Sequence, residues 1–261
     1  MIKQILSLNL LTQSLIAGLF TYSITLLGAS IVLIIKKMNK NFLDYMLGLS
    51  SGIMLAASIF SLLNPAIELS KEITNYKILF VVLGLISGCL FLLITNLLFD
   101  HKLSNKSNLK RSIMLMTSVT IHNIPEGMAI GVAFGSFMNN IPGTNLLSAW
   151  IIALGIGIQN FPEGLIVSLP LRREGISKGK AFFFGQLSAI VEPIFSVLGA
   201  LLVIKVRILM PFLLSFAAGA MLYVVIIDLI PESQINKNKN LVTLFTILGF
   251  ILMMVLDVLL G

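Results

Sequence analysis

The sequence predicts an all-α integral membrane protein of eight transmembrane helices. Three observations carry this: too few charges for a water-facing surface, eight apolar runs of bilayer length, and a lopsided distribution of Lys and Arg between those runs. Charged residues make up 11% of the 261 and hydrophobic residues 57%, with a mean hydropathy of +1.01. A soluble domain carries about 25% charged residues to solvate itself. This chain cannot, so lipid is its solvent.

The apolar runs lie at about residues 11–35, 44–67, 78–99, 112–138, 146–170, 181–204, 209–231 and 241–260. Each can cross about 30 Å of hydrocarbon as a helix, whereas membrane strands are about 10 residues long and alternate in polarity. Eight spans with short loops use up the chain, which predicts a single transmembrane domain over 1–261. The first run is longer than a signal-peptide core and continues to Lys36 and Lys37, so it is expected to stay as a span. Cys89 is the sole cysteine, which excludes an internal disulfide and a thiolate metal cluster.

Thirteen of the 18 basic residues fall in the first, third, fifth and seventh loops, among them Lys36, Lys37, Lys40, Lys102, Lys106, Lys110, Arg111, Arg172, Arg173, Lys178, Lys180, Lys237 and Lys239. Lys3, Lys71, Lys77, Lys205 and Arg207 lie on the other side. The positive-inside rule puts the odd loops in the cytoplasm and both termini outside. The net charge of +7 is a topology signal. Its residues lack the aromatic interleaving of single-strand binders, so nucleic acid is not expected as a partner. Glycines four apart, at 48 and 52, 84 and 88, and 127, 131 and 135, are read as helix-packing stripes without chemistry.

Charged side chains inside a span cost several kcal/mol and mark function or a partner. Here the fourth run holds His122-Asn123-Ile124-Pro125-Glu126-Gly127, the fifth Gln159-Asn160-Phe161-Pro162-Glu163-Gly164, and the sixth Glu192-Pro193. The two hexads share Asn, Pro, Glu and Gly at an offset of 37 residues. A motif repeated on neighbouring antiparallel spans is what an inverted repeat produces, and such repeats place substrate sites at the midplane. His122 and Glu126, like Gln159 and Glu163, are four apart and share a helical face. Pro125 and Pro162 free the carbonyls of Ile121 and Ile158 and mark places where a break would be tolerated along a cavity.

Buried carboxylates repel one another unless a cation neutralises them. A divalent metal, or a pair bridged by Glu126 and Glu163, satisfies the charge. The mixed nitrogen and oxygen donors suit zinc, iron(II), manganese(II) or cadmium better than copper(I). For Asn123 and Asn160, hydrogen bonding across helices is an equal alternative to ligation.

At these residues the chain resembles the ZIP (Zrt-/Irt-like protein) family of metal transporters. His-Asn-x-Pro-Glu-Gly at 122–127 is that family's signature, and Gln159 with its flanks is similar to the bacterial GufA-type branch, as are Gly52–Ser58 and Val191-Glu192-Pro193. The resemblance implies a binuclear centre. His122, Glu126, Gln159, Glu163 and Glu192 would hold one ion, with Met54 as a thioether ligand or simply a core methionine. Asn123, Glu126, Asn160 and Glu163 would hold the other, with Glu192 nearby. Asn160 stands where some relatives have Asp, which implies a weaker second position. Asp228 and Ile227 depart from the family's His-Glu before Pro231-Glu232, and His101 alone replaces a His-rich loop. The resemblance further implies zinc as the leading cargo, uptake through the cytoplasmic membrane, a homodimer, and elevator-like motion of spans one, four, five and six.

An intramembrane hydrolase is the first rival, but His-Glu-x-x-His is missing, so no enzyme, catalytic residue or catalytic cofactor is expected. A solute carrier would need aromatic or cationic groups that the polar cluster lacks. A passive channel or scaffold does not call for polar groups so tightly converged.

Overall fold

The computed structural model describes residues 8–35, 40–73, 77–103, 107–140, 144–234 and 238–260. Lys3, Lys36, Lys37, Lys106 and Lys237 lie outside them, as do the side chains of Lys40, Lys77, His101, Lys102, Lys110, Arg111, Lys205 and Arg207. The described residues are helical and contain no strand.

In chain order the helices are α1 (Leu10–Ile34), α2 (Lys40–Ala57, continuing to Ile73), α3 (Lys77–Leu103), α4 (Ser107–Met138), α5 (Leu146–Arg173), α6 (Lys178–Leu187, then Val191–Leu201), α7 (Val203–Val224, continuing to Ser233) and α8 (Lys239–Leu260). Among the described residues, seven of them (all but α4) are long and apolar enough to cross a membrane. α4 has the length, at 32 residues, and carries the His-Asn-Ile-Pro-Glu run.

Local chemistry sets the ends. Asn9 and Asn145 accept the Thr12 and Ser148 amides at 2.8 Å, so each begins its helix as a side-chain cap. α5 stops just after Arg172 and Arg173. Gly175, at φ +83°, donates to Arg172 O at 3.2 Å while Ile176 donates to Leu171 O at 3.2 Å. That is the paired bonding of a Schellman cap, which needs a residue without a Cβ at the left-handed position.

Prolines act differently from the sequence expectation. α4 and α5 run unbroken through Pro125 and Pro162. The break falls instead in α6, at residues 188–190, where Ala189, Ile190 and Glu192 donate three residues back. Pro193 has no N–H and its ring would strike the carbonyl of Ala189. Restarting the helix at Val191 puts Pro193 in a first turn, where no intrahelical donor is required. α2 and α7 solve the same problem by widening. Asn64 and Ile230, each just before a proline, donate five residues back to Ile59 and Val225, a π turn that makes room for the ring.

The helices pack most extensively as four pairs: α1 with α5, α4 with α6, α2 with α8, and α3 with α7. Every pair crosses on two glycines, each lying over the carbonyl three residues before its partner glycine. Gly28 and Gly164 cross α1 on α5 this way, over Phe161 O and Thr25 O, and Gly131 and Gly199 cross α4 on α6, over Ser196 O and Met128 O. Gly52 and Gly249 join α2 to α8, and Gly88 and Gly219 join α3 to α7. A Cβ on Gly28 would come within 2.0 Å of Phe161 O, and one on Gly52 within 1.8 Å of Thr246 O. The stripes read from the sequence thus bring backbones together.

The pairs combine into two groups. α1, α4, α5 and α6 pack on one another, and α2, α3, α7 and α8 form the second group, with α4 against α7 and α5 against α2 at the boundary. Among the described residues, every glycine close contact falls within one group or the other.

Candidate metal centre

The polar residues meet inside the first group. α4 supplies His122, Asn123 and Glu126, α5 supplies Gln159, Asn160 and Glu163, and the second half of α6 supplies Glu192 from its first turn. All seven are at most 3% exposed. One helical turn separates His122 from Glu126, so the imidazole Nε2 lies 3.0 Å from Glu126 Oε1. It lies 3.2 Å from Glu163 Oε1 on the neighbouring helix.

Metal-ligand chemistry gives those distances meaning. Donors bound to one tetrahedral zinc at about 2.1 Å stand about 3.4 Å apart. The three side chains each offer one atom, all within 4.8 Å of one another. They need only small shifts to share an ion.

The asparagines are oriented by backbone. Asn123 donates its amide to Ser188 O at 3.1 Å, in the break of α6. Asn160 donates to Thr21 O of α1 at 3.3 Å and to Glu192 Oε2 at 2.8 Å. The amide nitrogens are therefore occupied, and both Oδ1 atoms are left without a hydrogen-bond partner. His122 Nδ1, Gln159 Nε2, both oxygens of Glu126, and one oxygen each of Glu163 and Glu192 are also buried with no hydrogen-bond partner among the described residues. Buried polar atoms are normally satisfied, because leaving one open costs about 1–3 kcal/mol. Six of these eight open atoms are oxygens, two on amides and four on three carboxylates, a donor set that would suit a cation.

Met54 belongs to the apolar cluster that also contains Ile53, Ala57, Ile166 and Val167, and is 1% exposed. Two residues passed over in the sequence stand beside the centre. Ser61, in the π turn of α2, donates to Asp257 Oδ1 at 2.8 Å and lies 3.4 Å from Gln159 Oε1. Asp257 is an acid in the apolar run of α8, and the rule that intramembrane charges are functional would have flagged it.

Residues 100–257, which hold both Pro-Glu-Gly runs, Glu192 and Asp257, match the family model described as ZIP zinc transporter. The chain belongs to the ZIP zinc transporter family. It is 35% identical to the human zinc transporter ZIP11, over 95% of this chain and 97% of that protein. Zinc transporter GufA of Myxococcus xanthus is 35% identical over 95% of this chain and 98% of its own length. Zinc transporter ZIPB of Bordetella bronchiseptica is 33% identical over 95% and 81%. With its apolar helices, this ZIP chain is a multi-pass membrane protein of the GufA-like branch.

Proposed function

We propose that this ZIP chain carries divalent transition-metal ions, zinc first, across a cytoplasmic membrane into the cytoplasm, and that the buried cluster is its transport site. It acts as a transporter and not as an enzyme. The observation that carries the reading is the convergence of His122, Glu126 and Glu163 on one point, ringed by buried amide and carboxylate oxygens with no hydrogen-bond partner among the described residues. The names of its relatives, zinc transporters all, agree with it.

In this reading His122, Glu126 and Glu163 hold the first ion, with Gln159 and Glu192 closing around it. A second ion would bridge from Glu126 and Glu163 to Asn123 and Asn160. The open Oδ1 atoms of both asparagines support this, since the oxygen is the ligating atom of an amide. Iron(II), manganese(II) and cadmium fit the same donors. Met54 takes a packing role.

The chain spans the membrane eight times, α4 included, with both termini outside. Its two halves are an inverted repeat in which α1, α2, α3 and α4 correspond to α6, α7, α8 and α5. Two features support the correspondence. The donor–acceptor pair Asn123–Ser188 has its counterpart in Asn160–Thr21, and α2 and α7 each widen just before a proline. The two glycine-stitched groups support an elevator-like motion, in which α1, α4, α5 and α6 carry the ion along a frame of α2, α3, α7 and α8. Among the described residues no glycine close contact crosses the boundary between them, in contrast to the interlocked backbones that hold each group together. The homodimer would use α3 and α8, the helices that bury least of themselves.

The test is uptake by purified protein in liposomes, one metal at a time, for the natural chain and for Glu126→Ala and Glu163→Ala. Near-normal uptake by either variant would sink the shared-carboxylate site.

A further inference from the structure

Arg173 carries an ion pair across the boundary between the two groups. It sits in the last turn of α5, the helix that bears Gln159 and Glu163, and so belongs to the carrying group. Its Nη1 lies 2.6 Å from Glu232 Oε1, at the end of α7, and 3.9 Å from Asp44 Oδ1, near the start of α2. Both acids belong to the frame. Their side chains are 8% and 2% exposed, against 26% for the arginine.

Two further features make this contact well defined. The Schellman cap at Gly175 stops α5 immediately after Arg173 and so fixes where the guanidinium leaves the helix. Arg172 is held locally, donating to Ile176 O at 3.0 Å, whereas Arg173 reaches outward to Glu232. The pair lies ten residues beyond Glu163, about 15 Å along the helix, so it does not touch the metal cluster. A largely buried ion pair adds little net stability compared with an apolar contact of the same shape, but removing one partner is costly. Such a contact is poorly suited to gluing two bodies permanently. It is well suited to holding them in one of two positions.

We infer that Arg173 is a latch: its ion pair with Glu232 and Asp44 holds the carrying group against the frame in the present position and must open before the group moves. The inference rests on the two-group reading above, and its test separates the two. In a Cys89→Ser background, spin labels at Leu147→Cys on α5 and Ile208→Cys on α7, which lies outside the α3 and α8 dimer face, report the distance between the groups. The two positions are exposed at 70% and 58%. Distance distributions are recorded with and without zinc. The unmodified latch should show one dominant distance and a minor second one. Arg173→Gln should raise the ratio of second to first by about tenfold or more. Glu232→Gln should do the same, and Arg173→Lys, which keeps the charge, should stay near the starting ratio. Zinc stoichiometry should be unchanged throughout. A merely structural ion pair would lower the melting temperature in Arg173→Gln without moving the ratio. That result, with zinc still shifting the distance, overturns the latch and leaves the two-group reading standing. A single distance in every variant, with and without zinc, overturns both.

Discussion

Glu126 and Glu163 come from successive helices yet reach the same imidazole nitrogen, at 3.0 and 3.2 Å. Each also keeps an oxygen with no partner. Loss of either should lower zinc affinity by at least about a hundredfold, beyond the 10–100-fold typical of groups that only support a ligand; calorimetry on purified protein checks this. His122→Ala removes the imidazole of the cluster, so selectivity for zinc over manganese should narrow in competition binding. Asn160→Asp replaces a neutral oxygen with a charged one and takes away the donor that reaches Glu192. It should tighten a second ion, read as metal stoichiometry rising from one toward two. Protons compete with metal for the histidine and the carboxylates. Affinity should therefore fall as pH is lowered, and affinity that holds steady on acidification would count against ligation by these groups. The convergence of His122, Glu126 and Glu163 was legible in the sequence, because helical spacing and a repeated hexad fix faces. The partners of Asn123 and Asn160 were not. Which carbonyl an amide finds depends on where α1 and α6 lie, and no local pattern encodes that.

Helix existence followed from hydrophobic length, but the interruptions did not follow from proline alone. Pro125 and Pro162 leave their helices unbroken, while Pro193, Pro65 and Pro231 come with a break or a π turn. The clash of a proline ring with the fourth carbonyl back is the same at each. How it is relieved is set by the neighbouring helices, which a single segment does not reveal. The glycine stripes were legible as packing surfaces, and their partners were not. They lead to a contrast between two substitutions. A Cβ on Gly164 would lie 2.1 Å from Thr25 O and 2.6 Å from Ala29 N, both backbone atoms that cannot step aside. Gly164→Ala should destabilise the purified protein by about 1–3 kcal/mol or more, as overpacking does. Gly179 has nothing within 4 Å, and Gly179→Ala should leave the melting temperature unchanged or slightly higher, since alanine favours a helix.

Orientation decides which way the ion goes. With Cys89 replaced by serine, a cysteine at Asn140 should react with an impermeant reagent added outside the cell, and one at Gly179 should not. The reverse pattern would invert the topology and the direction of uptake with it. The charge imbalance of the centre has an electrical consequence at this scale. Three carboxylates face one imidazole, so releasing a divalent ion leaves the cluster more negative by two elementary charges. For a site that travels through the membrane field, each charge crossing the full field is worth about 2.3 kcal/mol per 100 mV. An interior-negative potential then pushes the emptied, more negative carrier back toward the outside. On the carrier reading proposed above, the voltage would reset the machine after each delivery, and metal uptake into vesicles should quicken when a potassium diffusion potential makes their interior negative.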